Sequence, residues 1–176
     1  LRWRHPLYAV LVVIGLWSSW VEPRWIRVRQ TTLSGIPADA QPLKLALVAD
    51  IHWGLFFRDH QLYDLVDRLN AMDIDAVIVA GDWTHEPTQN LRAGFAPLSR
   101  IRHPVWGVLG NHDVQAPGPD LTAPLREALT QHGVRLIEGL AVPWKGWELV
   151  GLDDQWGGHP QPQIERLWPA GASAMS

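Results

Sequence analysis

Three apolar runs in this chain each end on side chains suited to holding a metal ion. Leu45 to Ala49 precedes Asp50-Ile51-His52, Ala76 to Ala80 precedes Gly81-Asp82, and Val105 to Leu109 precedes Gly110-Asn111-His112-Asp113. Short runs rich in Val, Leu and Ile read as strands covered on both faces, as in a parallel sheet. In open α/β sheets ligands gather just beyond the carboxyl ends of such strands. The repetition therefore predicts an α/β fold in which the three clusters converge on one site.

The segments between the runs have helical spacing. Leu62, Leu65, Val66 and Leu69, within Asp59 to Asn70, fall at i, i+3, i+4 and i+7 and define one apolar face. Leu91, Phe95, Leu98 and Ile101 predict a second helix, and Leu121, Leu125 and Leu129 a third, closed by Gly133. With the order β-α-β-α-β-α, right-handed crossovers place all three helices on one face of one sheet. Beyond Gly133, Val134 to Trp144 and Trp147 to Leu152 read as two strands joined at Lys145-Gly146 and ending on Asp153-Asp154.

The 176 residues suffice for one domain, with length left for a membrane or linker segment. A hydrophobic content of 47% with a net charge of −3 excludes a disordered chain. Residues 1–36 carry five Arg against one Glu, whereas the remainder is acidic, so the folded part has no nucleic-acid-binding surface. Cysteine is absent, so any metal must be held by oxygen and imidazole.

Leu7 to Val21 is free of charge and flanked by Arg2, Arg4 and His5 before it and by Glu22, Pro23 and Arg24 after it. A helix of this length reaches roughly 22 Å, short of the roughly 30 Å hydrocarbon core of a bilayer. Trp3, Trp17, Trp20 and Trp25 at the interfaces and a snorkelling Arg4 would extend its reach. The expectation is a single-pass anchor over residues 1–30, at a bacterial inner membrane, ahead of a catalytic domain over residues 31–176. A signal peptide and a buried core helix are the alternatives, and basic residues on both flanks leave the orientation open.

On a strand, residues i and i+2 share a face, so Asp50 and His52 can reach one ion. Asp82 follows Gly81, which lets the backbone turn sharply, and its two oxygens can bridge two cations. Asn111 offers an amide oxygen, while His112 beside it is free to act on a substrate. Mixed oxygen and imidazole donors suit Mn, Fe, Zn or similar ions. Each motif singly is as readily a turn former; three in order, each after a strand, are not.

Asp50-x-His52, Gly81-Asp82 and Gly110-Asn111-His112-Asp113, in this order, resemble the calcineurin-like metallophosphoesterase superfamily. The Arg-rich segment behind the hydrophobic stretch, the Gly35-Ile36-Pro37 lead-in and Gly151-Leu152-Asp153-Asp154 further resemble its membrane-associated YkuE/YaeI-like phosphodiesterase branch. The resemblance covers about residues 22–168. It implies a four-layer α/β/β/α sandwich, of which this chain holds the first half, incomplete at its C-terminus. It also implies two divalent metal ions: Asp50 and His52 as ligands of the first, Asp82 as the bridge and Asn111 as a ligand of the second. His112 then contacts the phosphate and protonates the leaving group, and Asp113 orients His112. The implied substrate is a phosphoester, in some members of the branch a lipid-linked nucleotide such as UDP-diacylglucosamine.

The family completes its site with a later His and a Gly-His-x-His motif, and neither pattern occurs before Ser176. His159, in Gly-Gly-His-Pro, is expected to be a loop residue, and His5, His60, His85, His103 and His132 to be solvated. Trp53 and Trp83, beside ligand positions, either pack or stack on a base or acyl chain. The expected function is metal-dependent phosphoester hydrolysis. The alternative is an inactive, truncated membrane-anchored fragment that keeps ligands without assembling the site.

Overall fold

The computed structural model of the chain describes residues 4–18, 26–34, 41–54, 57–87, 90–114 and 120–154. The chain divides into two units, Leu1–Thr32 and Leu33–Ser176.

The described part of the first unit holds α1, Arg4–Leu16, a run of 13 residues. Its large apolar side chains from Leu7 to Trp17 are exposed all round the helix. At about 1.5 Å per residue α1 is about 20 Å long, and among the described residues no helix is long and apolar enough to cross a membrane. The spanning helix expected over Leu7–Val21 is thus met only as far as Leu16 in α-helical form, and residues 19–21 lie outside the described residues.

The second unit is built on four parallel strands in the order β1 (Leu45–Val48), β3 (Ala76–Ala80), β5 (Val105–Val108), β6 (Val134–Leu136). β1 pairs β3 with Leu47 opposite Ile78, β3 pairs β5 with Ile78 opposite Trp106, and β5 pairs β6 with Trp106 opposite Arg135. Each crossover moves one way across the sheet, so right-handed connections put the helices on one face. That face carries Val77, Val79, Val105 and Val134, all buried. α2 (Asp59–Asn70) buries Leu62, Leu65, Val66 and Leu69, the stripe its spacing predicts. At its start the Gln61 side chain accepts the Arg58 N–H at 2.8 Å. α5 (Thr122–Gln131) buries Leu125, Ala128 and Leu129 and ends before Gly133, whose φ of +88° takes the left-handed turn that a side chain would resist.

The second expected helix is broken. Asn90 caps α3, Leu91–Gly94, by accepting the N–H of Arg92 at 2.9 Å, and the chain then tightens into a 3-10 turn over Ala96–Arg100. Pro97 is the physical cause, because it has no N–H to give and its ring crowds the carbonyl four residues back. The run from Val134 to Trp144, expected as one strand, is two. β6 joins the parallel sheet, and Gly139, at φ +67°, turns the chain out of it into β7 (Ala141–Trp144). β7 and β8 (Trp147–Val150) form an antiparallel hairpin. Lys145 and Gly146 at its tip both have positive φ, as a two-residue hairpin turn requires.

This hairpin lies against the sheet face away from the helices. Val142, Trp144 and Leu149 pack on Ala76, Ile78, Trp106, Val108 and Ile137, with the Trp106 and Trp144 ring centroids 4.6 Å apart. β1 lies beyond its cover, and Leu47 is 73% exposed.

Candidate metal centre

The site forms where the chain leaves β1, β3 and β5. Past the sheet, the loops after β1 and β3 stay side by side: His52 N–H donates to the Asp82 carbonyl and Trp53 N–H to the Trp83 carbonyl, both at 2.9 Å. They then pair as β2 (Trp53–Gly54) and β4 (Thr84–His85). Asp50, His52 and Asp82 all adopt positive φ, between 50° and 54°. Non-glycine residues seldom hold this conformation unless their surroundings impose it, and three ligand-type side chains doing so together mark a functional site. Gly110 sets the third loop against them. A Cβ there would lie 2.2 Å from Asp82 Oδ1, so a larger residue would displace the carboxylate.

After β5 the chain enters α4, a single turn over Asn111–Val114. His112 N–H donates to Asp82 Oδ1 at 3.0 Å, which turns Oδ2 toward His52. His52 Nε2 is buried without a hydrogen-bond partner among the described residues. It lies 3.6 Å from both Asp50 Oδ1 and Asp82 Oδ2. That distance is too long for a hydrogen bond but suits donor atoms each about 2 Å from a shared cation. Donor atoms of His52, Asp82 and His112 lie within 4.8 Å of one another. An orphaned imidazole nitrogen between two carboxylate oxygens fits a divalent ion of the Mn, Fe or Zn kind.

The convergence of Asp50, His52, Asp82 and His112 follows the order of the strands, with Asn111 half-buried at the head of α4. His112, expected to act on substrate alone, also stands close enough to serve as a ligand. Asp113 differs from expectation. Fully buried, its carboxylate accepts from the N–H groups of Trp83 (3.2 Å), Thr84 (2.9 Å) and Gly110 (2.9 Å) and from the Thr84 hydroxyl (3.0 Å). It locks the His112 turn to the loop after β3 through backbone, and among the described residues its hydrogen bonds go to these groups rather than to the His112 ring. Burial pushes its carboxyl up, and the bonds from Gly110, Thr84 and Trp83 oppose that rise.

His85 is the residue the sequence reading missed. Its ring is stacked on that of His52 at a centroid distance of 5.2 Å, and its Nδ1 is 3.1 Å from Nδ1 of His112. Its signal in the sequence is its place three residues after Asp82, at the tip of the same loop. His132 is half-buried and hydrogen-bonded: Nε2 donates to the Arg92 carbonyl and Nδ1 accepts from the Ser99 hydroxyl, both at 2.7 Å, linking the end of α5 to α3 and to the 3-10 turn after it. His103 buries an unpartnered Nε2 among the described residues, away from the strand ends. His60 is exposed, and His159 and the side chain of His5 lie outside the described residues.

Trp53 and Trp83 are core. Both are buried, donate their indole N–H to Asp59 Oδ1 (2.9 Å) and the Val108 carbonyl (2.8 Å) respectively, and meet across the Phe95 ring. Gly94 and Gly107 leave the space they fill, since a Cβ would approach Trp53 to 1.9 Å and Trp83 to 2.6 Å. The tryptophans support the loops that carry Asp50, His52 and Asp82.

The chain belongs to the calcineurin-like phosphoesterase family, whose sequence pattern matches residues 43–165. It is 30% identical over 107 residues to a transmembrane protein with metallophosphoesterase domain from Danio rerio, covering 60% of this chain and 24% of that protein. It is 25% identical over 153 residues to phosphodiesterase YaeI of Escherichia coli K12, covering 83% of this chain and 56% of YaeI. The chain therefore spans from about a quarter to just over half of the length of these curated relatives. Its fold is similar to that of the solved protein TT1561 of Thermus thermophilus, with a TM-score of 0.54 and 14% identity, over 72% of this chain and 63% of that one.

Proposed function

We propose, from the membership of this chain in the calcineurin-like phosphoesterase family, that it hydrolyses a phosphoester bond with two divalent metal ions. The domain would be the first half of a four-layer α/β/β/α sandwich. The observation that carries this reading is the buried, unpartnered Nε2 of His52, 3.6 Å from an oxygen of Asp50 and from one of Asp82. Such ions, when bound, supply Lewis acidity at the phosphoryl oxygens and lower the pKa of water.

The chain's own groups divide the rest. Asp50 and His52 would hold one ion and Asn111, through its amide oxygen, the other, with Asp82, whose carboxylate is fixed by the His112 N–H, as the ligand shared between them. His112 gives a proton from Nε2 to the departing ester oxygen. The name of YaeI as a phosphodiesterase supports a diester, and the substrate class we favour is lipid-linked or nucleotide-containing. The exposed apolar side chains of α1 suit seating at a bacterial inner membrane, which would bring such a lipid to the site.

The test loads the chain with manganese and follows bis-p-nitrophenyl phosphate hydrolysis and bound metal together. Asp82→Ala is expected to lose both, because one carboxylate serves both ions. Wild-type metal content and rate in that variant would refute the assignment; metal uptake without turnover in the wild type would favour the inactive-fragment reading. Removing residues 1–32 should shift the protein from the membrane to the soluble fraction, and recovery of the intact chain as soluble would refute the seating.

A further inference from the structure

We propose that the first unit of the chain seats in an anionic phospholipid bilayer, its arginines selecting headgroups of net negative charge. This rests on the membrane seating proposed above and names the lipid it takes.

The evenness of α1 decides what covers it. Its nine large apolar side chains from Leu7 to Trp17 are each between 51% and 62% exposed. A groove on a partner, or a second copy, covers one stripe of a helix, whereas a helix that is apolar all round needs an apolar medium on every side. Ser18 supports the same medium. Its hydroxyl donates back to the Ile14 carbonyl at 2.9 Å and to the Gly15 carbonyl at 3.2 Å. A serine satisfies its hydroxyl in this way where no water reaches it.

Charge then chooses the headgroup. Arg2, Arg4, Arg24, Arg27 and Arg29 bracket the uncharged run from Leu7 to Val21, against the single acid Glu22. Arg27 and Arg29 are exposed. Arg4 opens α1, whose first turn holds no acid. A cation there adds to the positive end of the helix dipole, an unfavourable arrangement that a nearby anion offsets. A zwitterionic headgroup brings its own cation and offsets the charge only in part. Because arginines stand on both sides of the apolar run, the selection holds whichever way the helix enters the bilayer. Each arginine near an anionic surface is worth about fivefold in affinity, and salt at roughly 1 M, where the Debye length is about 3 Å, screens that gain.

Tryptophan quenching by brominated lipids tests this on the whole chain. Trp3, Trp17, Trp20 and Trp25 lie in or beside the apolar run, while Trp53, Trp83 and Trp106 are buried in the second unit and give an unquenched background. The chain is reconstituted in vesicles of phosphatidylcholine and phosphatidylglycerol in equal parts, with bromine on one lipid or on the other. Brominated phosphatidylglycerol should quench more, with a relative binding constant of about fivefold at low salt that falls toward unity in roughly 1 M salt. Replacing all five arginines (Arg2→Gln, Arg4→Gln, Arg24→Gln, Arg27→Gln and Arg29→Gln) should bring the ratio to unity while brominated phosphatidylcholine still quenches. Equal quenching by the two lipids in the wild type, or a preference that survives the five substitutions, would overturn the anionic selection and leave the seating in place. Emission that neither brominated lipid dims would refute the seating and the selection with it, and a dimer in sedimentation velocity would then identify a second copy as the cover of α1.

Discussion

At the scale of single residues, the loops that form the site are tied together by the carboxylate of Asp113. Asp113 takes four hydrogen bonds on two buried oxygens, two on each. In Asp113→Asn one oxygen becomes an NH2 group, and at least one buried backbone N–H loses its acceptor and faces a donor. Leaving such a group unsatisfied costs about 2–3 kcal/mol. We expect that loss in denaturant unfolding of the metal-free chain, accompanied by weaker metal binding as the His112 turn comes away from the loop after β3. A variant as stable as the wild type would show that the carboxylate is not the clamp. The same residue shows the limit of motif reading. A Gly-Asn-His-Asp string displays an acid beside His112, but only the turn of α4 decides that this acid points down into Thr84 rather than across to the imidazole.

At the scale of elements, the hairpin is fastened to the sheet by its hydrophobic face and by one carboxylate. Asp75 accepts from the Lys44 N–H at 2.9 Å and from Lys145 Nζ at the hairpin tip, joining the starts of β1 and β3 to the β7–β8 turn. The Lys145 bond, and after it the Lys44 N–H, hold the Asp75 carboxyl below its usual value. A depressed carboxyl stabilises the fold above the unfolded-state pKa of about 4, and that contribution is lost as pH falls through the lower folded value. Asp75→Asn should therefore melt below the wild type at pH 6 to 7, and the gap should close as the pH is taken toward 2. A gap that stays constant across that range would mean that charge is not what Asp75 contributes. Where the sequence pattern misjudged elements, Gly and Pro were responsible: Pro97 broke a helix that apolar spacing extended to Ile101, and Gly139 divided one apparent strand in two.

At the scale of the molecule, the parallel sheet is covered unevenly. The hairpin shields β3 and β5, while Leu45 and Leu47 on the edge strand β1 stand 44% and 73% exposed. An apolar edge strand is a template for association. Leu47→Lys should lower self-association in sedimentation velocity while changing stability by less than about 0.5 kcal/mol, as at other exposed positions. Unchanged association would place the sticky surface elsewhere, with the exposed apolar side chains of α1 the next to alter.

The sequence determined the parts governed by local periodicity and by what must follow a strand. Apolar runs located β1, β3 and β5, the 3.6-residue stripe placed α2 at Asp59–Asn70, and the Asp and His side chains at the three strand ends converged because parallel strands end on one side. Tertiary structure alone decided contacts between segments far apart in the chain. That His85 meets His112 across 27 residues depends on the pairing of β2 with β4 and on the Asp113 clamp, and neither leaves a periodic trace. The same holds for Trp53 and Trp83, whose indoles turn inward because Gly94 and Gly107, tens of residues away, leave room for them. A side chain's composition says what it can bind; the backbone geometry of its neighbours decides what it reaches.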